Sequence, residues 1–504
     1  MLVAFTTVEE QDKGSPQEVA RRAAEEISGV ASRLGVDTVV LYPYAHLSPS
    51  LAPPSVAMEV LRAVEHELSS RGYRVHRAPF GWYKEFELRC YGHPLAELSR
   101  HIAPAATVEK EVLLYRRGTG IERVGKPGEL TDPARALASL ELGAEVRVAR
   151  GVEDYMKRFG VVPAAPGYVL LGYGISMYNS LVSCVQQLLS SRLGLSIESV
   201  EVPSLSSSGA GERAVEDAVL AASWYESCKG LSAEGALIGS AELRYQSPLK
   251  MPTGARVRVL RTAFAYIGRV AQVDGALQPL LDVMSGFLEE VVGETPFTSL
   301  RLFNESSVEN VVEAYTRVLG KDTVLVSSYR TPALSLSVTE LVLSVEDSTG
   351  NALPLTRIYL LRKSGGDAHV VVNLFGSFEE LVYAALDHRL ALGREGRIPT
   401  LPTWLSPVQV RVVPVSGEFS GFARSVAEEL RSHGFRAEAD DRDVGLGRKI
   451  RDAGRLWTPY VVIVGRREAE TKNLSVRIRP EGRQVPMGLS ELIERLRREM
   501  CGGR

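Results

Sequence analysis

The stretch Leu41-Tyr42-Pro43-Tyr44-Ala45-His46-Leu47-Ser48 turns a short apolar run into a mixture of aromatic, imidazole and hydroxyl groups. A second cluster follows, Arg77-Ala78-Pro79-Phe80-Gly81-Trp82-Tyr83-Lys84-Glu85-Phe86, and after it Gly92-His93-Pro94-Leu95-Ala96-Glu97-Leu98-Ser99-Arg100. An ordinary core strand does not crowd aromatic, basic and acidic side chains beside Pro and Gly. The mixture reads as a pocket wall carrying a few polar reagents.

Around these clusters the chain alternates between elements. Residues 3–7 read as a buried strand. Residues 17–34 hold apolar groups at helical spacing, with Ser15-Pro16 as a start signal and Gly35 as a stop. A short strand at 38–41 runs into the first cluster, and a second amphipathic helix at 55–70 closes at Gly72. Residues 73–78 and 84–89 alternate like strands, and 112–115 is a further strand. This order predicts a compact α/β domain over residues 1–132. The segment 133–402 opens with helical sequence to about residue 160. Strands then read at 168–173, 257–260, 322–327, 336–345 and 370–374, and 204–211 reads as an exposed Ser/Gly-rich loop. Strand-rich blocks outnumber βαβ alternations there, so a largely antiparallel sheet is expected. Residues 403–504 alternate cleanly, with strands at 408–415, 436–439 and 460–464, an edge strand at 474–478, and helices at 419–433, 446–456 and 489–500. They predict a small α/β domain with a mostly parallel sheet.

The bulk properties bound the function. The 504 residues suit about three domains. With 45% hydrophobic and 24% charged residues the chain has a globular composition, and a net charge of −2 leaves any RNA contact to local patches. No run is long and apolar enough to span a bilayer, and Met1-Leu2-Val3-Ala4-Phe5 lacks the basic region and cleavage site of a signal peptide. Cys90, Cys184, Cys228 and Cys501 show no C-x-x-C spacing. That pattern predicts a reducing, cytoplasmic setting and no disulfide scaffold.

Taken singly, each candidate has a plain structural reading. His46 is equally a satisfied histidine at a strand end, Lys84 a solvated strand residue, and Trp82 and Tyr83 core aromatics. Glu97 is equally a helix N-terminal charge, and Arg448, Lys449 and Arg451 a solvated helix face.

In combination the N-terminal clusters resemble the editing domain of archaeal-type threonyl-tRNA synthetases, whose fold is that of D-aminoacyl-tRNA deacylases. The C-terminal motifs are Pro402-Thr403-Trp404-Leu405-Ser406-Pro407-Val408-Gln409-Val410, Asp440-Asp441-Arg442 and Leu446-Gly447-Arg448-Lys449-Ile450-Arg451. These are similar to the anticodon-binding domain of the same enzymes. Gly376-Ser377-Phe378-Glu379 resembles the last signature helix of a class II synthetase core. The resemblance implies an α/β multidomain chain: an editing domain over 1–132, a degenerate antiparallel class II core with a helical linker over 133–402, and an α/β anticodon-binding domain over 403–504. It also implies a further strand and turn ahead of residues 2–7, which the sequence from Met1 does not include.

The resemblance assigns catalytic roles to Lys84, His46, Tyr83 and Glu97, with Tyr44, Ala45 and Trp82 lining the substrate pocket. It assigns anticodon reading to Arg451, Glu468 and Arg477. Ester hydrolysis needs a placed water and stabilisation of the developing oxyanion. A lysine against an aromatic wall can supply that charge, and a carboxylate such as Glu97 can pair with the substrate ammonium.

A charging core of this family implies an Arg-x-Glu element that clamps ATP, a late-helix arginine for the phosphates, and a zinc held by one Cys and two His. Residues 150–400 contain no Arg-x-Glu, and Glu380 stands where the late-helix arginine is implied. No histidine lies between His101 and His369, and Val371 stands where the late histidine is implied. His369 shares a strand face with position 371, and His388 is the other histidine nearby. The expectation is a core kept as scaffold, with no metal or other cofactor. The implied function is a trans-editing subunit that hydrolyses mischarged Ser-tRNA(Thr) beside a separate charging subunit, with a homodimer as a further expectation. The alternatives are a divergent but complete threonyl-tRNA synthetase and a non-catalytic tRNA-binding partner.

Overall fold

The computed structural model describes residues 1–504 except 49, 83–86, 88–97, 99–101, 103–107, 132, 202–203, 208–211, 229–235, 271–272, 363–367 and 503–504. The chain divides into two compact units, one built on residues up to 107 and the other on residues from 108 onward.

The first unit runs β1 (Leu2–Thr6), α1 (Pro16–Arg33), β2 (Thr38–Pro43), α2 (Pro54–Ser70) and β3 (Arg74–Arg77). Pro16 and Pro54 sit in the first turns of their helices, where a missing N–H leaves no bond unmade. Gly35 and Gly72 follow the helices at φ of +63° and +90°, a region where a side chain would be strained. The three strands pair in parallel in the order β1-β2-β3. One apolar face carries Val39 and Leu41 against Val19, Ala20 and Ala24 of α1 and Val60, Leu61 and Val64 of α2. This is the expected βαβαβ order. The strand expected at 84–89 falls almost wholly outside the described residues.

In the second unit the strand at 112–115, expected to finish the first domain, belongs elsewhere. It is β4 (Glu109–Arg116), which with β5 (Gly120–Arg123) forms one end of an 11-stranded sheet. The chain continues through α3 (Ala134–Glu141), α4 (Val152–Arg158), the hairpin β6 (Val161–Ala164) and β7 (Gly167–Leu170), and the long α5 (Gly172–Leu193). Short strands β8 (Ile197–Ser199) and β9 (Ser204–Ser206) precede α6 (Arg213–Cys228), β10 (Ala236–Lys250) and β11 (Arg256–Val270). Next come α7 (Val273–Val292), β12 (Phe297–Phe303), α8 (Val308–Leu319) and β13 (Thr323–Arg330). The segment ends with β14 (Ser337–Glu346), β15 (Ala352–Arg362), β16 (Ala368–Asn373) and α9 (Phe378–Arg394). The sheet order is β5-β4-β13-β12-β14-β15-β16-β11-β10-β8, with β9 also on β10. Its central ladders are antiparallel, as expected. The expected loop at 204–211 instead begins with a strand, because Ser204–Ser206 pair in parallel with Glu242–Arg244.

The C-terminal segment runs β17 (Val410–Pro414), α10 (Ser420–Ser432), β18 (Ala437–Ala439), α11 (Leu446–Arg455) and β19 (Tyr460–Val464). It ends with α12 (Arg466–Thr471), β20 (Asn473–Ile478), β21 (Arg483–Gly488) and α13 (Leu489–Arg498). The sheet is mixed rather than mostly parallel: β17 pairs in parallel with β18 and β19, while β19-β20 and β20-β21 are antiparallel. Nor is 474–478 an edge, since β21 covers it. Val410, Val412, Val462 and Val476 point to one apolar face beneath α10 and α13, and Val413, Val461 and Ile463 to the other, beneath α11.

One expectation about cysteine is overturned. Cys184 on α5 and Cys501 after α13 form a disulfide with Cα atoms 5.5 Å apart, across 317 residues of sequence. Cys228 is a buried free thiol, and Cys90 lies outside the described residues. The crosslink ties the core to the C-terminal domain. Among the described residues no helix is long and apolar enough to cross a membrane. Replacing Cys501 by Ser is expected to lower unfolding stability by about 2–4 kcal/mol, read from denaturant midpoints. Reductant should lower wild type to the same level, and identical midpoints for oxidised wild type and variant would contradict the crosslink.

Candidate active site and RNA interface

In the first unit, β2 delivers the Leu41–Ser48 cluster to the end of the sheet. Phe5 and Tyr42 are register partners, with ring centroids 5.0 Å apart. Tyr44 lies edge-on to Phe5 at 5.4 Å, and His46 edge-on to Tyr44 at 5.3 Å. The backbone N–H of Tyr44 donates to the Thr6 carbonyl at 2.9 Å, and the Thr7 hydroxyl donates to the Tyr44 carbonyl. These bonds fix the chain as it leaves the strand and enters a single turn of 3-10 helix at Ala45–Leu47. Ala45 and His46 are exposed on that turn and Tyr44 is half-buried. The His46 nitrogens have no hydrogen-bond partner among the described residues, and the ring is open to solvent. Trp82 is 75% exposed, which removes it from the core. Tyr83, Lys84 and Glu97 lie outside the described residues. The structure thus brings together Tyr44, Ala45 and His46 of the expected site.

The middle segment carries a buried chain of charges. Arg301 on β12 donates to Glu141 of α3 at 2.7 Å and lies 3.4 Å from Glu340, its register partner on β14. Tyr329 donates to the other Glu141 oxygen at 2.6 Å. Arg357 on β15 lies 3.6 Å from Glu340 and 3.2 Å from Asp217 of α6. One turn before Asp217, Arg213 reaches Glu380 at the start of α9 through both terminal nitrogens, at 2.7 and 2.8 Å. Burial works to raise Glu380, but the Arg213 charge and hydrogen bonds outweigh it and hold the carboxyl below its ordinary value. Likewise burial opposes ionisation of Glu141, yet Arg301 and Lys110 bring it down to about 2. Glu380, which stands where the resemblance implies an ATP-facing arginine, is therefore a buried, fully engaged anion. Sequence reasoning missed this network, although its signal was present: Leu300-Arg301-Leu302 and Thr356-Arg357-Ile358 place charges among apolar strand residues.

The donor set does not fit the implied zinc. His369 shares a 2.9 Å hydrogen bond with the Tyr266 hydroxyl through Nδ1, and its ring packs 4.7 Å from Tyr225. His388 faces Glu294 at 3.6 Å. Among the described residues no three His, Cys, Asp or Glu side chains cluster in a way that could hold a metal ion.

In the C-terminal domain Arg451 is exposed on α11. Arg477 on β20 is the register partner of Val461 and so lies on the α11 side of the sheet, also exposed. Glu468 has a structural role, since its carboxylate accepts from the Gly465 N–H at 3.0 Å and caps α12. The three expected anticodon residues thus sit on three different elements.

The family model described as the Archaea-specific editing domain of threonyl-tRNA synthetase matches residues 1–102, and the anticodon binding domain model matches residues 409–499. A threonine--tRNA ligase of Methanopyrus kandleri is 34% identical, over 99% of this chain and 91% of its own. The chain belongs to the threonyl-tRNA synthetase family. A threonine--tRNA ligase of Caldivirga maquilingensis, another relative in the family, is 31% identical over 99% of this chain and 91% of its own. The solved RNA binding domain of threonyl-tRNA synthetase from Cryptosporidium parvum Iowa II is similar in fold, with a TM-score of 0.51 and 18% identity over 69% of this chain and 98% of that one. The multidomain α/β architecture with an editing and an anticodon-binding domain is thereby shown.

Two expectations follow for this family member. Glu468→Ala should destabilise the C-terminal domain by about 1 kcal/mol through loss of the cap, measured by chemical denaturation, and an unchanged midpoint would contradict the capping role. Burial raises Glu379 to about 7, whereas the unfolded chain releases that proton in the ordinary carboxylate range. Glu379 therefore makes stability fall as pH rises from about 4.5 to 7. Glu379→Gln should flatten that fall by roughly 1–3 kcal/mol, checked by denaturation at pH 5 and 7.5, and a slope equal to wild type would contradict it.

Proposed function

We propose that this chain is a cytoplasmic proofreading subunit that hydrolyses Ser-tRNA(Thr) in trans and does not charge tRNA. The observation that carries the reading is the engagement of the buried Glu380 by the partly exposed Arg213 at the end of a line of ion pairs. A buried carboxylate in the place of a phosphate-binding arginine offers a triphosphate nothing to bind. The stretch matched with the Methanopyrus kandleri relative also runs over 582 residues against the 504 of this chain, so that relative carries residues with no counterpart here. The editing-domain match over 1–102 supports the deacylation half of the reading.

Energetics supply the need for such a protein. Serine is threonine without one methyl and retains the hydroxyl. One methyl discriminates by only about 1–3 kcal/mol, too little for a charging site to reject serine, so a second site must destroy the product. In this reading Lys84 stabilises the developing oxyanion and Tyr83 lies against the ester. His46, Tyr44, Ala45 and Trp82 shape the pocket, and Glu97 holds the substrate ammonium or orients Lys84. Arg451, Glu468 and Arg477 on the C-terminal domain select threonine tRNA. A separate charging subunit makes the ester, and the core serves as scaffold and as a dimer surface.

A second reading, a complete ligase, is favoured by the relatives being named threonine--tRNA ligase over 91% of their length. It requires an ATP clamp, and against it stands the engagement of Arg213, Arg301 and Arg357 by carboxylates of the chain. Purified protein without ATP should hydrolyse Ser-tRNA(Thr) and spare Thr-tRNA(Thr), with Lys84→Ala slower by about 100-fold. His46→Ala should also slow hydrolysis while changing stability by less than about 1 kcal/mol. Stable esters on both tRNAs, or undiminished hydrolysis by Lys84→Ala, would overturn the reading.

A further inference from the structure

A cleft of about 760 Å³ opens between α4, the start of α5 and the α11 side of the C-terminal sheet, and none of the residues assigned above lines it. Arg411 of β17 forms its floor, beside its register partner Glu438 on β18. The Arg411 side chain is 8% exposed. It donates to Glu438 at 2.6 Å and contacts the Tyr173 hydroxyl at 3.4 Å, but its buried Nε–H has no hydrogen-bond partner. A native fold rarely leaves such a donor unmet, since a buried unmade bond costs about 1–3 kcal/mol. The Nε itself is covered, so what the cleft offers a ligand at its floor is the rest of the guanidinium.

The rim supplies further cationic donors. Arg158, the last residue of α4, rests over the Tyr155 ring at 4.5 Å and makes no ion pair among the described residues. Arg455 at the end of α11 is 70% exposed and has only Asp452, at 3.6 Å. The carboxylates of the cleft are already engaged. Asp440 is held by Arg442 through two bonds of 2.7 Å, Asp452 also by Arg442 at 2.9 Å, and Glu438 by Arg411. What remains for a ligand is N–H groups and positive charge, a set that suits phosphate oxygens. Arg451 and Arg455 lie one turn apart on α11, so a basic ridge leads from an expected anticodon contact to the cleft.

We infer that this cleft holds a backbone phosphate of the bound tRNA, with Arg158 and Arg455 on its walls and the Arg411 guanidinium at its floor. The inference rests on the tRNA-binding part of the proposed function and not on deacylation. The middle segment then contributes to binding directly, because α4 and α5 complete an RNA site that the C-terminal domain forms only in part. Phosphate contacts of this kind position RNA without reading sequence.

The test is binding of uncharged tRNA(Thr) transcript to the full chain across a salt series, for wild type and for Arg158→Gln/Arg455→Gln. Each lost phosphate contact removes about 0.7–0.9 from the slope of log affinity against log salt. The double variant is therefore expected to bind several-fold more weakly, with a shallower slope. Arg411→Lys, which keeps the charge and removes the planar guanidinium, should also weaken binding while its thermal midpoint shows that it folds. Inorganic phosphate and AMP, titrated into the free protein, form the second arm. Equal affinity and slope in wild type and double variant would overturn the assignment. So would phosphate binding that the double variant abolishes while the tRNA slope stays unchanged, which would mark a site for a free anion. If wild type binds no tRNA, the tRNA-binding reading itself fails, an outcome distinct from these.

Discussion

The middle of the molecule depends on a line of buried charges that crosses its sheet: Lys110 and Arg301 on Glu141, Arg301 and Arg357 on Glu340, Arg357 and Arg213 on Asp217, and Arg213 on Glu380. Arginines hold Glu141 and Glu380 ionised, whereas at Glu340 burial outweighs Arg301 and Arg357 and raises the carboxyl to about 7; several oxygens and nitrogens of the chain have no other partner. Removing one partner from such a chain strands a charge in a low-dielectric interior, at a cost of about 3–5 kcal/mol. The network therefore fixes the register of β12, β14 and β15, and it pins α3, α6 and the start of α9 to one face. Ser377 caps α9 and also donates to Glu380 at 2.9 Å, so helix start and ion pair form one unit.

The same constraint shapes the functional reading. A site that activates an amino acid has to present free cationic groups to a triphosphate. Here Arg213, Arg301 and Arg357 face carboxylates of the chain itself, Arg389 donates to backbone carbonyls, and His369 and His388 face Tyr266 and Glu294. The surfaces that keep uncommitted polar groups are elsewhere: the exposed turn at Ala45–Leu47 in the first unit, and the arginines of α11 and of the cleft beside it. The proposed proofreading role rests on the first of these surfaces for the ester and on the second for RNA.

Much of this was legible in the sequence. The helices α1, α2 and α10 were marked by a glycine at or just past their ends, α1 also by a Ser-Pro start signal, and the alternation of α1 and α2 with strands gave the first unit its α/β character. The strands β15 and β21 were missed because each holds a proline, Pro354 and Pro486, which argues against a strand interior. Pro354 is tolerated because it sits where the β14-β15 register shifts. The assignment of 112–115 to the first domain failed because a strand's sequence gives its existence and not its partner, and β4 pairs with the distant β13. The Cys184–Cys501 crosslink was invisible for the same reason: spacing along the chain says nothing about two side chains brought together by a fold of this length. Within the candidate site, the aromatic and imidazole groups of Tyr44 and His46 stood out by composition, whereas the exposed turn that carries His46 and the capping role of Glu468 are visible only in the backbone geometry.

The central claim is that the ion-pair network has replaced the charging site. Threonine-dependent exchange of pyrophosphate into ATP, measured with the purified full chain, reads that site directly. The account predicts no exchange above background at any threonine or zinc concentration. Exchange that saturates with threonine would contradict it and would mean that this chain charges tRNA itself.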